Sequence, residues 1–359
     1  MSDLPIIRTQ LPEPDASRAS ETPGRIKAVP GDFRVEERPA YLPSGEGTHR
    51  FLWIEKEDVS GPMLLKTAAR RLDVRQGDIG CAGLKDRRAV TRQWISVPAS
   101  TPNPPEDLSG PLGETGRIEV LEHALHPNKL RTGHLKGNSF VIRIIERNPE
   151  EDHAAQAAAQ RIASEGFVNT YGAQRFGRGD NVPAGLRVLQ GGRERDKQRR
   201  RFLVSAVQSA LFNHWAWLRS EGVGFRRALA GDLLTRVESG GVFEVEDPEV
   251  ETERILSGEV VVTGPIFGGK ARRATGAAAE YERAALADFD LQGDVFDGMK
   301  KLAPGTRRAA VVTPRELTCQ REEDALVARF DLTSGTYATV LLAHLVGSSP
   351  KEGPPDVGP

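Results

Sequence analysis

Between Thr48 and Lys56, Phe51 and Trp53 alternate with Leu52 and Ile54, and this period of two predicts a strand. A second alternation, Phe140-Val141-Ile142-Arg143-Ile144, predicts another strand directly after a Gly-Asn turn. Arg25–Glu37 and Ala328–Leu332 also read as strands, the latter followed by a helix through Tyr337 and Leu345. Elsewhere the period is helical. Ser60 is a suitable cap for a helix beginning at Pro62, with Leu64, Leu65, Ala68 and Leu72 on one stripe. Asn148 caps another, with Pro149 first, Glu150, Glu151 and Asp152 at its positive end, and Gly166 at its stop. Phe202–Arg219, carrying Trp215 and Trp217, reads as a long buried helix. Neither an internal repeat nor a heptad run is visible.

A strand-rich front, a helical middle and a returning strand–helix predict an α+β protein with an inserted domain. Its length of 359 residues allows two cores. Met1–Gly24, rich in Pro, Ser, Thr and Glu, and the tail from Ser348 read as disordered. No apolar run is long enough for a membrane span and no signal-peptide pattern opens the chain, so a cytoplasmic protein is expected. Cys81 and Cys319 are the only cysteines and imply no disulfide framework. Net charge is −1, but it is unevenly spread. Arg187, Arg193, Arg195, Lys197, Arg199, Arg200 and Arg201 are opposed only by Glu194 and Asp196, whereas Glu238–Glu259 is acidic with Arg254 as its single base. A basic segment of this kind favours a phosphate backbone through counterion release, while the acidic one keeps the total near zero.

The candidate chemistry lies in Gly83-Leu84-Lys85-Asp86-Arg87-Arg88-Ala89-Val90-Thr91-Arg92-Gln93. Apolar segments Ile79–Ala82 and Trp94–Val97 flank it, so a strand–loop–strand element presents Asp86 at a sheet end. Lys85, Arg87, Arg88 and Arg92 surround that carboxylate, and nearby opposite charge favours its ionised form. Such a group acts as nucleophile or electrostatic anchor, and the arginines are natural phosphate ligands. Charge alone also fits a solvated loop with incidental salt bridges. Gln174, Arg175 and Arg178 make a second cationic turn suited to phosphate, although Arg175 equally suits a bridge between domains. Gly264-Pro265-Ile266-Phe267-Gly268-Gly269-Lys270 imitates a phosphate-binding loop, but Ala271 replaces the Ser or Thr that would hold magnesium. His123 and His126 lack a third ligand, so no metal is expected.

Gly-x-Lys-Asp-x-x-Ala-x-Thr-x-Gln at 83–93 resembles the catalytic-loop signature of TruD-type tRNA pseudouridine synthases. Leu135–Phe140, Gly166–Gly177 and Ser205–Asn213 are similar to further motifs of that family in the same order, as are Asp32–Glu37 and Gly45–His49 upstream. The similarity runs from about Ile26 to about Val346. It implies a pseudouridine-synthase catalytic domain (25–166 and 315–347), with a mixed, mostly antiparallel sheet flanked by helices. An α/β TRUD domain (167–314) would be inserted into it. It implies an isomerase acting on uridine 13 of tRNA without cofactor, metal or nucleotide, and a monomer is expected. Asp86 stands at the position of the family's nucleophile. Lys27 and Lys85 are both candidates to pair with it, and the resemblance favours Lys27. Phe140 is the candidate for stacking the flipped base, with core packing beside Ile142 and Ile144 as the alternative, and Asn138 for hydrogen bonding nearby. Lys85, Arg87, Arg88, Arg92, Gln174, Arg175, Arg178, Arg199 and Arg200 are the candidate RNA contacts. A different class, a non-catalytic RNA-binding or RNA-chaperone protein on this fold, would need none of Asp86, Asn138 and Phe140.

Overall fold

The computed structural model of the protein describes residues 22–177 and 180–354. They form two compact units, one made of 22–165, Thr313–Ala338 and 342–354, the other of Gly166–Val312 with Thr339–Leu341. Along the first unit run β1 (Arg25–Ile26), β2 (Phe33–Pro39), β3 (His49–Glu57), α1 (Gly61–Arg71), β4 (Gly80–Cys81), β5 (Val90–Pro98), β6 (Gly110–Leu112), β7 (Gly116–His126), β8 (Leu135–Ile144) and α2 (Asp152–Glu165). The second unit contributes β9 (Phe167–Val168), α3 (Asn181–Leu189), α4 (Lys197–Glu221), β10 (Leu233–Arg236), β11 (Val242–Glu244), α5 (Pro248–Leu256), β12 (Val260–Ile266), α6 (Ala278–Ala287), β13 (Thr306–Ala309) and β14 (Val311–Val312). The chain then supplies β15 (Arg315–Glu322), β16 (Ala325–Thr333), α7 (Ala338–Val346) and β17 (Lys351–Glu352).

The first unit is built on a sheet in the order β15-β16-β8-β2-β5-β3-β7-β6, with β4 on β5. Only β2 and β5 run parallel; the other pairs are antiparallel. Side chains alternate between the faces of a strand. Leu52, Ile54, Ile95, Val97 and Ile118 therefore form one apolar layer, and α1 covers it with Leu64, Ala68 and Leu72. Phe51, Trp94, Ala82 and Leu130 fill the opposite face. Ser60 caps α1 by accepting a hydrogen bond from the Met63 N–H.

Two expectations need correction, and a third lies largely outside the described residues. Arg25–Glu37 is not one strand: Lys27 takes a left-handed φ of 58°, and a 3-10 turn at Pro30–Asp32 separates β1 from β2. Pro30 has no N–H to give a ladder, and Asp32 accepts from the Val29 N–H, which stabilises the turn instead. The tail is not loose from Ser348, because β17 pairs in parallel with β1 and covers its otherwise open edge. Arg25 donates to the Pro354 carbonyl as well. The arm expected over 1–24 lies outside the described residues as far as 21. From Thr22 the chain is tied down, its carbonyl accepting from Arg147 and its hydroxyl from the Asn148 N–H. Residues 355–359 are likewise outside the described residues.

In the second unit α4 is the axis. One side packs with α3 through Leu186, Leu203 and Val207, the other places Phe212 and Trp215 against Val260 and Val262. Its sheet, β11-β10-β12-β13, is antiparallel, and β9 pairs separately with β14. Arg219 near the end of α4 makes a buried bidentate pair with Asp232, both contacts at 2.8 Å.

The segment imitating a phosphate loop is explained by packing. Gly264 lies inside β12, where a Cβ would stand 2.2 Å from the Trp215 ring. The Gly269 and Lys270 N–H groups donate to the Ala303 and Pro304 carbonyls, so they do not face a phosphate. The next helix, α6, begins only at Ala278. Gly264→Ala therefore forces Trp215 to move and is expected to lower stability by about 1–3 kcal/mol in denaturant unfolding. ATP should leave the melting temperature of the unaltered protein unchanged.

Candidate active site

The loop from Ala82 to Ala89 leaves β4 and returns as β5, and buried polar groups pin it from below. On the α1 face of the sheet, Lys56, Thr91, Val35, Phe140 and Phe330 are successive cross-strand partners on β3, β5, β2, β8 and β16. All are buried. One step along, Glu37 faces Asn138, and Asn138 faces Leu332. Gln93 follows Thr91 on the same face of β5. Positions that would ordinarily continue an apolar layer thus carry Lys56, Thr91, Gln93, Glu37 and Asn138.

All but Thr91 reach up to the loop or the space beside it. Gln93 Nε2 donates to the Gly83 carbonyl at 3.2 Å. Glu37, with a fully buried side chain, pairs with Lys85 at 2.7 Å. Lys56 Nζ donates to the main-chain carbonyl of Asp86 at 2.6 Å. Arg88 clamps the other side, donating from Nε to the Lys27 carbonyl at 2.6 Å and from Nη2 to the Ala28 carbonyl at 2.5 Å. Leu84 rests on Gly61 at the start of α1, where any Cβ would come within 2.7 Å of it.

The outcome is a half-exposed Asp86 carboxylate on a fixed loop. Of the two lysines considered, Lys27 is the one beside it, Nζ to Oδ1 being 3.8 Å, while Lys85 is engaged by Glu37. Lys27 is buried, stands 4.3 Å above the Phe33 ring, and is shared with Glu352 of β17 at 3.4 Å. Asp86, Lys85, Leu84, Val35, Asn138 and Phe140 line one groove of about 320 Å³. That is at the small end of ligand-pocket sizes, suited to a single base. Asn138 Oδ1 is buried beside it with no hydrogen-bond partner among the described residues. Phe140 borders the groove and is also braced in the core, stacked on Phe330 at 5.2 Å and edge-on to Phe33. Burial first, then the Glu37 carboxylate, raises the Cys81 thiol above its usual range, so it offers no competing thiolate.

The remaining candidates are spread out. Arg87 and Arg92 are exposed, Arg87 beside Asp58 at 3.3 Å and Arg92 between Glu55 and Glu36. In the second unit Arg175 donates to Ser205 and Ser209, with Tyr171 and Phe202 alongside. Gln174 sits next to it in a 3-10 turn, Arg199 pairs with Glu194, and Arg200 is exposed in the first turn of α4. Arg178 lies outside the described residues. His123 meets Glu106, and His126 stacks on Tyr41. Sequence reasoning missed Lys56, Glu37 and Glu352. The first two carried a signal, since each is a charged residue at an inward position of an alternating strand.

The fold is that of a solved structure, a Methanosarcina mazei protein described as a candidate tRNA pseudouridine synthase D. The match has a TM-score of 0.76 and 22% identity, and covers 97% of this chain and 99% of that one. A family model described as tRNA pseudouridine synthase D (TruD) matches residues 16–195 and 188–345. A protein of that name from an Anaeromyxobacter species is 39% identical over 96% of this chain and 97% of its own, and one from Thermus thermophilus is 40% identical over 90% and 88%. The chain belongs to the tRNA pseudouridine synthase D family.

Removing the countercharge of a buried ion leaves it uncompensated. Glu37→Gln is therefore expected to cost about 3–5 kcal/mol in urea unfolding. A loss below about 1 kcal/mol would place the Lys85–Glu37 pair at the exposed-bridge level instead.

Proposed function

We propose that this chain isomerises uridine to pseudouridine in tRNA, position 13 being the target, with Asp86 as the nucleophile. The observation that carries the reading is the Asp86 carboxylate and the Asn138 Oδ1, unpartnered among the described residues, lining one base-sized groove, with the Lys27 ammonium 3.8 Å from Asp86. Isomerisation breaks the N1–C1′ bond, turns the uracil, joins C5 to C1′, moves the C5 proton to a base and leaves N1 protonated. Nothing is oxidised or reduced and no nucleotide is consumed. The carboxylate attacks either C1′ or C6, and Lys27 holds its charge in place at either step. Asn138 Oδ1, an acceptor without a donor, suits the N3–H of uracil.

A stacked uridine cannot reach the groove, so the nucleotide must be flipped out at a cost of a few kcal/mol. Stacking on an aromatic ring offsets about 1–3 kcal/mol of this, and Phe140, packed against Phe330, is assigned to it. Arg87 and Arg92 near the loop, with Gln174, Arg175, Arg178, Arg199 and Arg200 of the second unit, are assigned to the phosphates. Lys85 and Arg88 are assigned to holding the loop, because Lys85 is engaged by Glu37 and Arg88 by the Lys27 and Ala28 carbonyls. Among the described residues no helix is long and apolar enough to cross a membrane. The reading places the enzyme in the cytoplasm as a monomer that needs no cofactor.

Asp86→Asn separates catalysis from a purely RNA-binding role. Pseudouridine, mapped at single-nucleotide resolution on unmodified tRNA, should disappear while tRNA affinity stays within about twofold, as expected for a neutral, same-shape replacement. Retained isomerisation would refute the assignment. Asn138→Ala should lower kcat/KM by roughly 10–100-fold, the equivalent of one buried hydrogen bond left unmade.

A further inference from the structure

Lys56 has no place in the chemistry described so far, yet it is among the most deeply buried side chains of the protein, with 0% of its surface exposed. A buried ammonium is costly unless it is partnered. Its partner is the carbonyl of Asp86, the nucleophile's own main chain, at 2.6 Å. We propose that Lys56 is the positioning residue of the reaction: by holding the Asp86 carbonyl from beneath, it fixes the loop so that the carboxylate points into the groove. The inference rests on Asp86 being the nucleophile.

Three observations support it. Lys56 is anchored by β3, paired on one side with Thr91 of β5 and on the other with Ile118 of β7, so its stem rises from a strand hydrogen-bonded on both sides. Thr91, its neighbour, has a buried hydroxyl without a partner among the described residues, and the amine is the group of this row that hydrogen-bonds the loop. Other loop contacts act elsewhere: Gln93 on Gly83, Glu37 on the Lys85 side chain, Arg88 on Lys27 and Ala28. Lys56 is the side chain that holds the main chain of residue 86, while Lys27 meets its carboxylate. A bond from a charged donor is about twice as strong as a neutral one, so its hold depends on its proton.

The charged groups facing the amine are Asp86 and Lys85 of the loop and Asp58 at the end of β3; Thr91 and Ile118 add no charge. Burial pushes the amine down to about 8, with Asp86 opposing. Activity should then decline through about pH 8 as the hold weakens. Stability should move the other way. An unfolded lysine titrates at 10.5, so between about 8 and 10.5 the unfolded chain binds the extra proton, and Lys56's contribution to stability rises with pH. Loss of activity by unfolding would show the opposite trend.

The test measures single-turnover kcat and tRNA KM from pH 6.5 to 9.5, with melting temperature alongside, for the unaltered protein, Lys56→Met and Lys56→Arg. The expected result is an alkaline decline near pH 8 in the unaltered protein without a fall in melting temperature. Lys56→Met should lose about 10–100-fold in kcat with KM within about threefold, and lose that decline. A folded Lys56→Arg should keep its activity to higher pH than the unaltered protein. A flat profile in the unaltered protein, the same decline in Lys56→Met, or Lys56→Met with kcat within twofold would each overturn the proposal. Should both variants fail to fold, the profile of the unaltered protein alone decides. Normal kcat in Lys56→Met beside an inactive Asp86→Asn defeats this inference and leaves the nucleophile standing, whereas an active Asp86→Asn defeats the nucleophile assignment itself.

Discussion

A carboxylate on a loop is useful to a reaction only if the loop cannot relax away from its substrate. Here that constraint is met by a polar layer inside a sheet. Glu37, Lys56 and Gln93 occupy inward positions on β2, β3 and β5 and each takes hold of a different point of the Ala82–Ala89 loop. Burying these groups costs solvation, and only their mutual satisfaction makes the arrangement tolerable. The same layer explains the motif's composition. Gly83 provides the carbonyl Gln93 holds, Lys85 neutralises Glu37, and Ala89 is small because it is fully buried. A cationic loop that reads as a surface for phosphates is in good part a loop fastened downward.

From this follows the character of the site. Asp86 is left as the half-exposed carboxylate, Lys27 as its nearby countercharge, and Asn138 as a buried acceptor without a donor among the described residues. Lys27 reaches its place through a left-handed backbone turn, which a 3-10 turn and two Arg88 bonds to the main chain hold. Glu352, which also touches Lys27, lies in β17, beyond the family match ending at 345. The end of the chain thus adds to the surroundings of the site.

Much of the fold was legible where local chemistry and tertiary packing agree. Ser60, Asn148 and Gly166 mark helix ends as expected, and Phe51–Ile54 alternates as β3 does. Long-range pairing was the limit. Nothing local in Lys351-Glu352 announces a strand, since its partner β1 is more than 320 residues away in sequence. The Asp86, Asn138 and Phe140 grouping was legible as a family pattern, but their sharing of one groove depends on the β2–β8 and β8–β16 registers. Lys85 and Arg88 looked like RNA ligands because charge in a sequence does not reveal where its partner will be. Lys56 was passed over for the complementary reason: a single lysine in an apolar strand appears incidental until register turns it inward.

The most direct measurement is the structure of the Asp86→Asn protein bound to unmodified tRNA. The account predicts one uridine out of the stack, seated in the groove against Phe140, its N3–H on Asn138 Oδ1 and its glycosidic bond beside residue 86. A bound tRNA whose bases all remain stacked, or whose extruded base sits away from residue 86, would contradict it.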